Sequence, residues 1–93
     1  MDIVVVDGIE MKAYTIPTPH TVILVIRAAK GLLGCGYISL APAEKLHDAL
    51  AIVTGVSSYD DMLAAEIRQV SGAARELGIV PGMTGKEALL KLS

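Results

Sequence analysis

Cys35 sits between Gly34 and Gly36 in the stretch GLLGCGYISL, Gly31 to Leu40, and is the only thiol of the chain. A cysteine with an imidazole in reach can serve as a nucleophile, and two histidines are present, His20 and His47. His20 lies in a proline-flanked turn at the start of the neighbouring strand, which makes it the better general base. His47 falls at the edge of a helical apolar stripe, where a half-buried structural residue is expected. Activation of the thiol also needs a cation or a helix N-terminus close by, and the sequence places neither beside it. The competing reading of Cys35 is a small buried hydrophobe. In a strand of period two, Leu32, Gly34, Gly36 and Ile38 share one face, and Leu33, Cys35 and Tyr37 share the other. Gly34 and Gly36 would then form a shallow trough over which a helix, a backbone or a small ligand comes close.

A second suggestive stretch is PGMTGKEALL, Pro81 to Leu90. A phosphate-binding loop requires Gly, four residues, Gly, Lys and then Ser or Thr. Here Val80 occupies the first position and Glu87 follows Lys86, so the spacing fails. What remains is a helix N-terminus at Gly85 and Lys86, able to take an anion only where capping side chains leave its donors free. The carboxylate pairs Asp60 with Asp61 and Glu44 with Asp48 fall on solvated helix faces and read as structural. A single cysteine supports neither a two-cysteine redox motif nor a zinc site, and no cofactor motif or set of metal ligands is visible.

Composition removes further classes. Lys and Arg number 8 against 10 Asp and Glu, and the chain has no Phe or Trp and only 3 Tyr. There is no basic field for a phosphate backbone and little for bases to stack on, so nucleic acid is not an expected partner. A membrane span needs about 20 consecutive apolar residues, whereas the longest strongly apolar run is Val22 to Ile26. The acidic start MDIVVVDGIE lacks the basic region of a signal peptide, and a cytoplasmic location is expected. A chain of 93 residues makes one domain, burying only about 60 to 65% of its unfolded surface. Yet 53% of it is hydrophobic and the mean hydropathy is +0.56. That excess over what a small core can absorb points to self-association.

The elements that must position these residues divide near Pro42, with a β-rich region over 1–40 and a helix-rich region over 41–93. Val4 to Val6 lead into Asp7-Gly8, which suits a two-residue type I′ hairpin. The returning strand alternates Ile9, Met11 and Ala13 against Glu10, Lys12 and Tyr14. Val22 to Ile26 is apolar on both faces, so it is central or covered by a neighbouring subunit, with Val22, Leu24 and Ile26 as interface candidates. A helix opens near Pro42 and sets Ala43, Leu46 and Leu50 on one stripe. AIVTG follows as a short strand, and strand, helix and strand in succession favour a parallel crossover. Ser58, Ser71 and Thr84 read as helix caps, Thr84 with Glu87 as a capping box, and Gly78 as the residue after a helix end. The sum is an α+β domain: a mainly antiparallel sheet of about four strands, one short strand added by crossover, and three to four short helices.

The segments CGY (Cys35 to Tyr37), TGVSSYDDML (Thr54 to Leu63) and above all LGIVPGMTGKEALLKL (Leu77 to Leu92) resemble the YunC-like domains of unknown function found in bacteria and archaea. The similarity runs along nearly the whole chain in the same order. The resemblance implies an α+β domain whose N-terminal β region assembles tetramers. It implies no activity and carries over no catalytic residue. Three functions are therefore weighed: a non-catalytic oligomer binding a partner or small ligand at a subunit interface, a small enzyme using Cys35 with His20, and a structural or regulatory subunit of a larger assembly.

Overall fold

Three antiparallel returns, one parallel crossover and a short last strand build the sheet. The structure is a computed structural model and describes residues 1–93. Strand β1 (Asp2–Val6) turns through Asp7 and Gly8, both at positive φ (49° and 80°), into β2 (Ile9–Pro17). Those angles are the mirror-image turn that the Asp-Gly pair favours. Strand β3 (Val22–Arg27) returns antiparallel to β2, and β4 (Gly31–Gly34) returns antiparallel to β3. Helix α1 (Leu40–Leu46) then carries the chain to β5 (Ala49–Ile52), which pairs parallel with β4. The two-residue β6 (Gln69–Val70) closes the mixed, six-stranded sheet in the order β1-β2-β3-β4-β5-β6. Helices α2 (Tyr59–Ala64), α3 (Gly72–Glu76) and α4 (Gly85–Leu92) complete an α+β domain.

Each helix begins where its cap dictates. Ser58, Ser71 and Thr84 accept hydrogen bonds from Asp61, Ala74 and Glu87 N–H respectively, and the Thr84–Glu87 box is reciprocal. Helix α3 ends as the sequence expects: Gly78 N–H donates to Arg75 C=O, and Ile79 N–H to Ala74 C=O. Gly78 takes φ 89°, which a side chain would resist.

The core lies on one side of the sheet. Met11, Ala13, Leu24, Ile26 and Leu33 pack there with Met62, Ala88, Leu89 and Leu92, all buried. A smaller cluster of Ala43, Leu50 and Ile52 lies on the other side, beneath α1, with Leu32 and Ile38 against it. Helix α1 therefore covers the β4–β5 half of that side, and no helix covers the β1–β3 half.

Three expectations about local structure are corrected. The strand around Cys35 stops at Gly34, and residues Cys35 to Ile38 form a turn in which Ile38 N–H donates to Cys35 C=O at 3.0 Å. Gly34 and Gly36 thus do not form a continuous trough. A β-carbon on Gly34 would meet Ile38 Cγ1 at 3.1 Å, and one on Gly36 would meet Thr54 Cγ2 at 3.1 Å. The chain's own returning side chain occupies the space above Gly34. In α1, Leu46 is 68% exposed instead of buried. The helix is only seven residues long and ends at His47 in the left-handed conformation (φ 61°), so it rests on β5 through Ala43 and leaves Leu46 pointing outward. His47 is exposed too, not half-buried.

Candidate functional site

Cys35 extends the β3–β4 pairing by one residue. Its N–H donates to Leu24 C=O at 3.0 Å, and its Sγ accepts from Leu24 N–H at 3.3 Å. The thiol is 5% exposed at a shallow depression of about 180 Å³ lined by Thr21, Val22, Gly36, Tyr37, Gly55 and Val56. No cation and no histidine lines it. His20 is exposed in the turn held by Thr18 N–H to Thr21 C=O, next to the depression in sequence but outside its wall. The nucleophile and base expected from the sequence are not brought together as a hydrogen-bonded pair.

The helix N-terminus at Gly85 is closed by the protein itself. Gly85 N–H donates to Ala65 C=O at 2.9 Å, and Thr84 Oγ1 takes the Glu87 N–H at 3.2 Å. A β-carbon on Gly85 would run into the Met62 carbonyl oxygen, so this glycine permits a close approach of α4 to α2. Lys86 pairs with Asp7 in the first hairpin turn at 3.3 Å. In this stretch Gly85 serves packing, Gly82 a turn at φ 96°, and Lys86 a surface ion pair.

A polar chain absent from the sequence reading joins residues far apart along the chain. Thr15 Oγ1 donates to the Tyr59 hydroxyl at 2.7 Å, which donates to Asp2 Oδ2 at 2.8 Å. Partial burial raises the Tyr59 phenol above its ordinary value of 10; the Thr15 hydrogen bond works against that rise, and Asp2 adds to it. A phenol held neutral in this way ties α2 to the outer strands. Nothing in the sequence flags partners 44 and 57 residues apart.

The largest anomaly is the uncovered half of the sheet. Strand alternation puts Ile3, Val5, Glu10, Lys12, Tyr14, Ile16, Val25 and Arg27 on the side opposite the main core. Of these, Ile3, Val5 and Ile16 are 51, 58 and 57% exposed. Of the interface candidates, Leu24 and Ile26 face inward, 2% and 0% exposed beneath the chain's own helices, and Val22 packs against the same core. The residues available to a second molecule are instead those of opposite parity, with Val25 among them. The sequence separates the two parities of the strand, Leu24 from Val25, but not which of them the helices cover. Beside this face runs a mainly apolar groove of about 290 Å³, between α1 and the turn after β4, lined by Leu32, Tyr37, Ile38, Pro42 and Leu46 among others. No group of three or more His, Cys, Asp or Glu side chains is arranged to hold a metal ion. No helix is long and apolar enough to cross a membrane.

Comparison with known proteins agrees with this picture of a domain without an assigned chemistry. The protein is similar to the uncharacterized protein YunC of Bacillus subtilis (strain 168), with 33% identity over 93 residues, spanning 96% of this chain and 92% of that protein. Its fold matches the crystal structure of a protein of unknown function, TA1206 from Thermoplasma acidophilum, with a TM-score of 0.93 and 29% identity, over 99% of this chain and 90% of that one. Residues 34–92 match the model of a family described as a domain of unknown function (DUF1805). On that match and the length of the YunC alignment, the chain belongs to the DUF1805 family.

Proposed function

We propose that the protein is a non-catalytic homo-oligomer, four copies assembling through their N-terminal strands in the cytoplasm, that holds a partner or small ligand at a subunit interface. The observation that carries this reading is the uncovered half of the sheet, on which Ile3, Val5 and Ile16 stand exposed beside Glu10, Lys12 and Arg27. Monomeric proteins rarely leave contiguous apolar patches larger than a few hundred Å² in water. A symmetric interface removes such a patch and enlarges a core that 93 residues build only modestly. The groove between Tyr37 and Leu46 borders that face and is the natural seat for a small apolar ligand. The alternative of an enzyme using Cys35 finds no support in the surroundings of the thiol, which offer it no hydrogen-bonded base.

The test compares two charges of opposite parity in β3. Val25→Lys places an ammonium on the open face and is expected to dissociate a folded protein. Leu24→Lys places one in the core and is expected to unfold it. Sedimentation of the wild type as a folded monomer at micromolar concentration would refute the proposal. Rapid alkylation of native Cys35 near neutral pH would instead favour the enzyme.

A further inference from the structure

Arg27, Leu32 and Leu50 stand in one row across β3, β4 and β5, on the side of the sheet away from the main core. Two hollows meet along this row. One, of about 320 Å³, runs around the turn between β3 and β4, and its charged walls are Arg27, Lys30 and Asp48. The other is the mainly apolar groove of about 290 Å³ beside α1. Leu32 and Asp48 belong to the walls of both, so the charged hollow opens into the apolar one at those two residues.

The end of α1 fixes Asp48 in place. His47 N–H donates to Glu44 C=O at 3.4 Å and Asp48 N–H to Ala43 C=O at 2.9 Å, the pair of bonds that closes a helix on a left-handed residue, here His47 at φ 61°. Ser71 Oγ donates to Asp48 C=O at 2.8 Å. The backbone of Asp48 is thus anchored, while its carboxylate pairs with no cation of the chain. Arg27 and Lys30 pair with no carboxylate either, since the protein's one ion pair is Lys86 with Asp7. Charges of both signs that share a hollow without neutralising each other suit a molecule that carries both signs itself.

We propose that the hollow and the groove together bind a zwitterionic α-amino acid with an apolar side chain, of the size of leucine or phenylalanine. Its carboxylate goes to Arg27, whose planar fork takes a carboxylate through two parallel hydrogen bonds, with Lys30 as the second cation. Its ammonium goes to Asp48. Its side chain runs past Leu32 into the groove, toward Pro42 and Leu46. A simple anion in the same place meets the Asp48 carboxylate, and a simple cation meets Arg27 and Lys30, so each brings like charges together. The zwitterion answers both. A mainly apolar recess with a few convergent polar groups is the usual form of a small-molecule site. The inference rests on the reading of the groove as a ligand seat and adds the class of ligand; every residue it uses belongs to one chain, so it does not depend on how copies assemble.

Calorimetric titration with fragments of one ligand tests each contact. L-leucine and L-phenylalanine are expected to bind the wild type. Two fragments of leucine, 4-methylpentanoate without the ammonium and 3-methylbutylamine without the carboxylate, are each expected to bind about tenfold more weakly, the worth of a charge-assisted hydrogen bond. Glycine, without the side chain, is expected to bind at least about tenfold more weakly, through the lost apolar burial. Asp48→Asn should weaken leucine by about tenfold and leave 4-methylpentanoate unweakened, and Arg27→Gln should weaken leucine to the same extent and leave 3-methylbutylamine unweakened. Both side chains are exposed, and a loss of fold would weaken leucine and its fragment alike, so the comparison within each variant isolates the contact. No binding of leucine or phenylalanine at millimolar concentration overturns the proposal, and so does 4-methylpentanoate binding as tightly as leucine, which would make the ligand a simple anion. Leucine binding by a wild type that sediments as a monomer would refute the oligomer and leave this site standing; an oligomer indifferent to both amino acids would do the reverse.

Discussion

Lys12 and Arg27 stand directly opposite each other across β2 and β3, on the face that no helix covers. The protein's one ion pair is Lys86 with Asp7, so neither of the opposed cations has an acidic partner within the chain. Like charges directly opposed on a sheet repel, and opposite charges there contribute roughly 0.2 to 1 kcal/mol. Arg27→Glu should therefore stabilise the folded chain by about 0.5 kcal/mol in low salt, with the gain fading as ionic strength rises. Thermal melts at two salt concentrations check this; a lower melting temperature at both would contradict the cross-strand placement.

The helix caps make stability sensitive to acid. Ser57 N–H and then its hydroxyl hold Asp61 below its ordinary value of 3.8, and Thr84 N–H and then its hydroxyl hold Glu87 below 4.5. A carboxylate depressed by folding stabilises the native state above its ordinary value, and that stabilisation is lost as pH falls toward the depressed one. Stability is expected to decline below about pH 4.5, first through Glu87 and then through Asp61. Glu87→Gln should flatten the upper part of that decline in melts taken between pH 3 and 6, about the range in which free carboxyls titrate. Removing the other half of the box, Thr84→Ala, should cost about 1 kcal/mol at neutral pH.

Ser71 is the buried polar residue that joins β5, α3 and the connection between α1 and β5. Its hydroxyl accepts from Leu50 N–H at 2.9 Å and Ala74 N–H at 3.2 Å and donates to Asp48 C=O at 2.8 Å. Ser71→Ala leaves backbone groups of β5 and α3 short of partners at a site with no solvent access. A loss of about 2 to 3 kcal/mol is expected in chemical denaturation. A loss under about 0.5 kcal/mol, the size of an ordinary surface substitution, would argue that water reaches the site.

Gly36 is tight against Thr54 although it lies outside the strand. Valine there must displace the Thr54 methyl group from 3.1 Å, and overpacking of that kind costs about 1 to 3 kcal/mol. If Gly36→Val melts with the parent, the turn after β4 yields more readily than its contacts indicate.

Features set by local chemistry were legible in the sequence. The Asp7-Gly8 turn, the caps at Ser58, Ser71 and Thr84 and the glycine at the end of α3 each depend on residues within a few positions of one another, and each stands where the sequence puts it. The parallel entry of β5 was legible as well, from the succession of strand, helix and strand. What was not legible depends on how elements dock. Periodicity separates Leu24 from Val25 but does not say which of them the helices will cover, and the helices chose Leu24. The apolar stripe running from Ala43 through Leu46 to Leu50 broke because His47 turns left-handed and ends the helix. The expectation for Gly34 and Gly36 failed for a similar reason: a turn one residue after Gly34 removed the alternation on which their shared face depended.

Each strand of the sheet lies beside its neighbour in sequence, which bears on the order of events during folding. Pairing neighbours closes short loops, so the entropy of closure is small and the conformational search is local. The connection between β1 and β2 is as short as a hairpin allows, and that strand pair can form early. The open face is thus shaped within a single chain. For the oligomer proposed above, assembly would be a meeting of folded chains, with a rate that scales with concentration, while the folding rate of each chain stays independent of it.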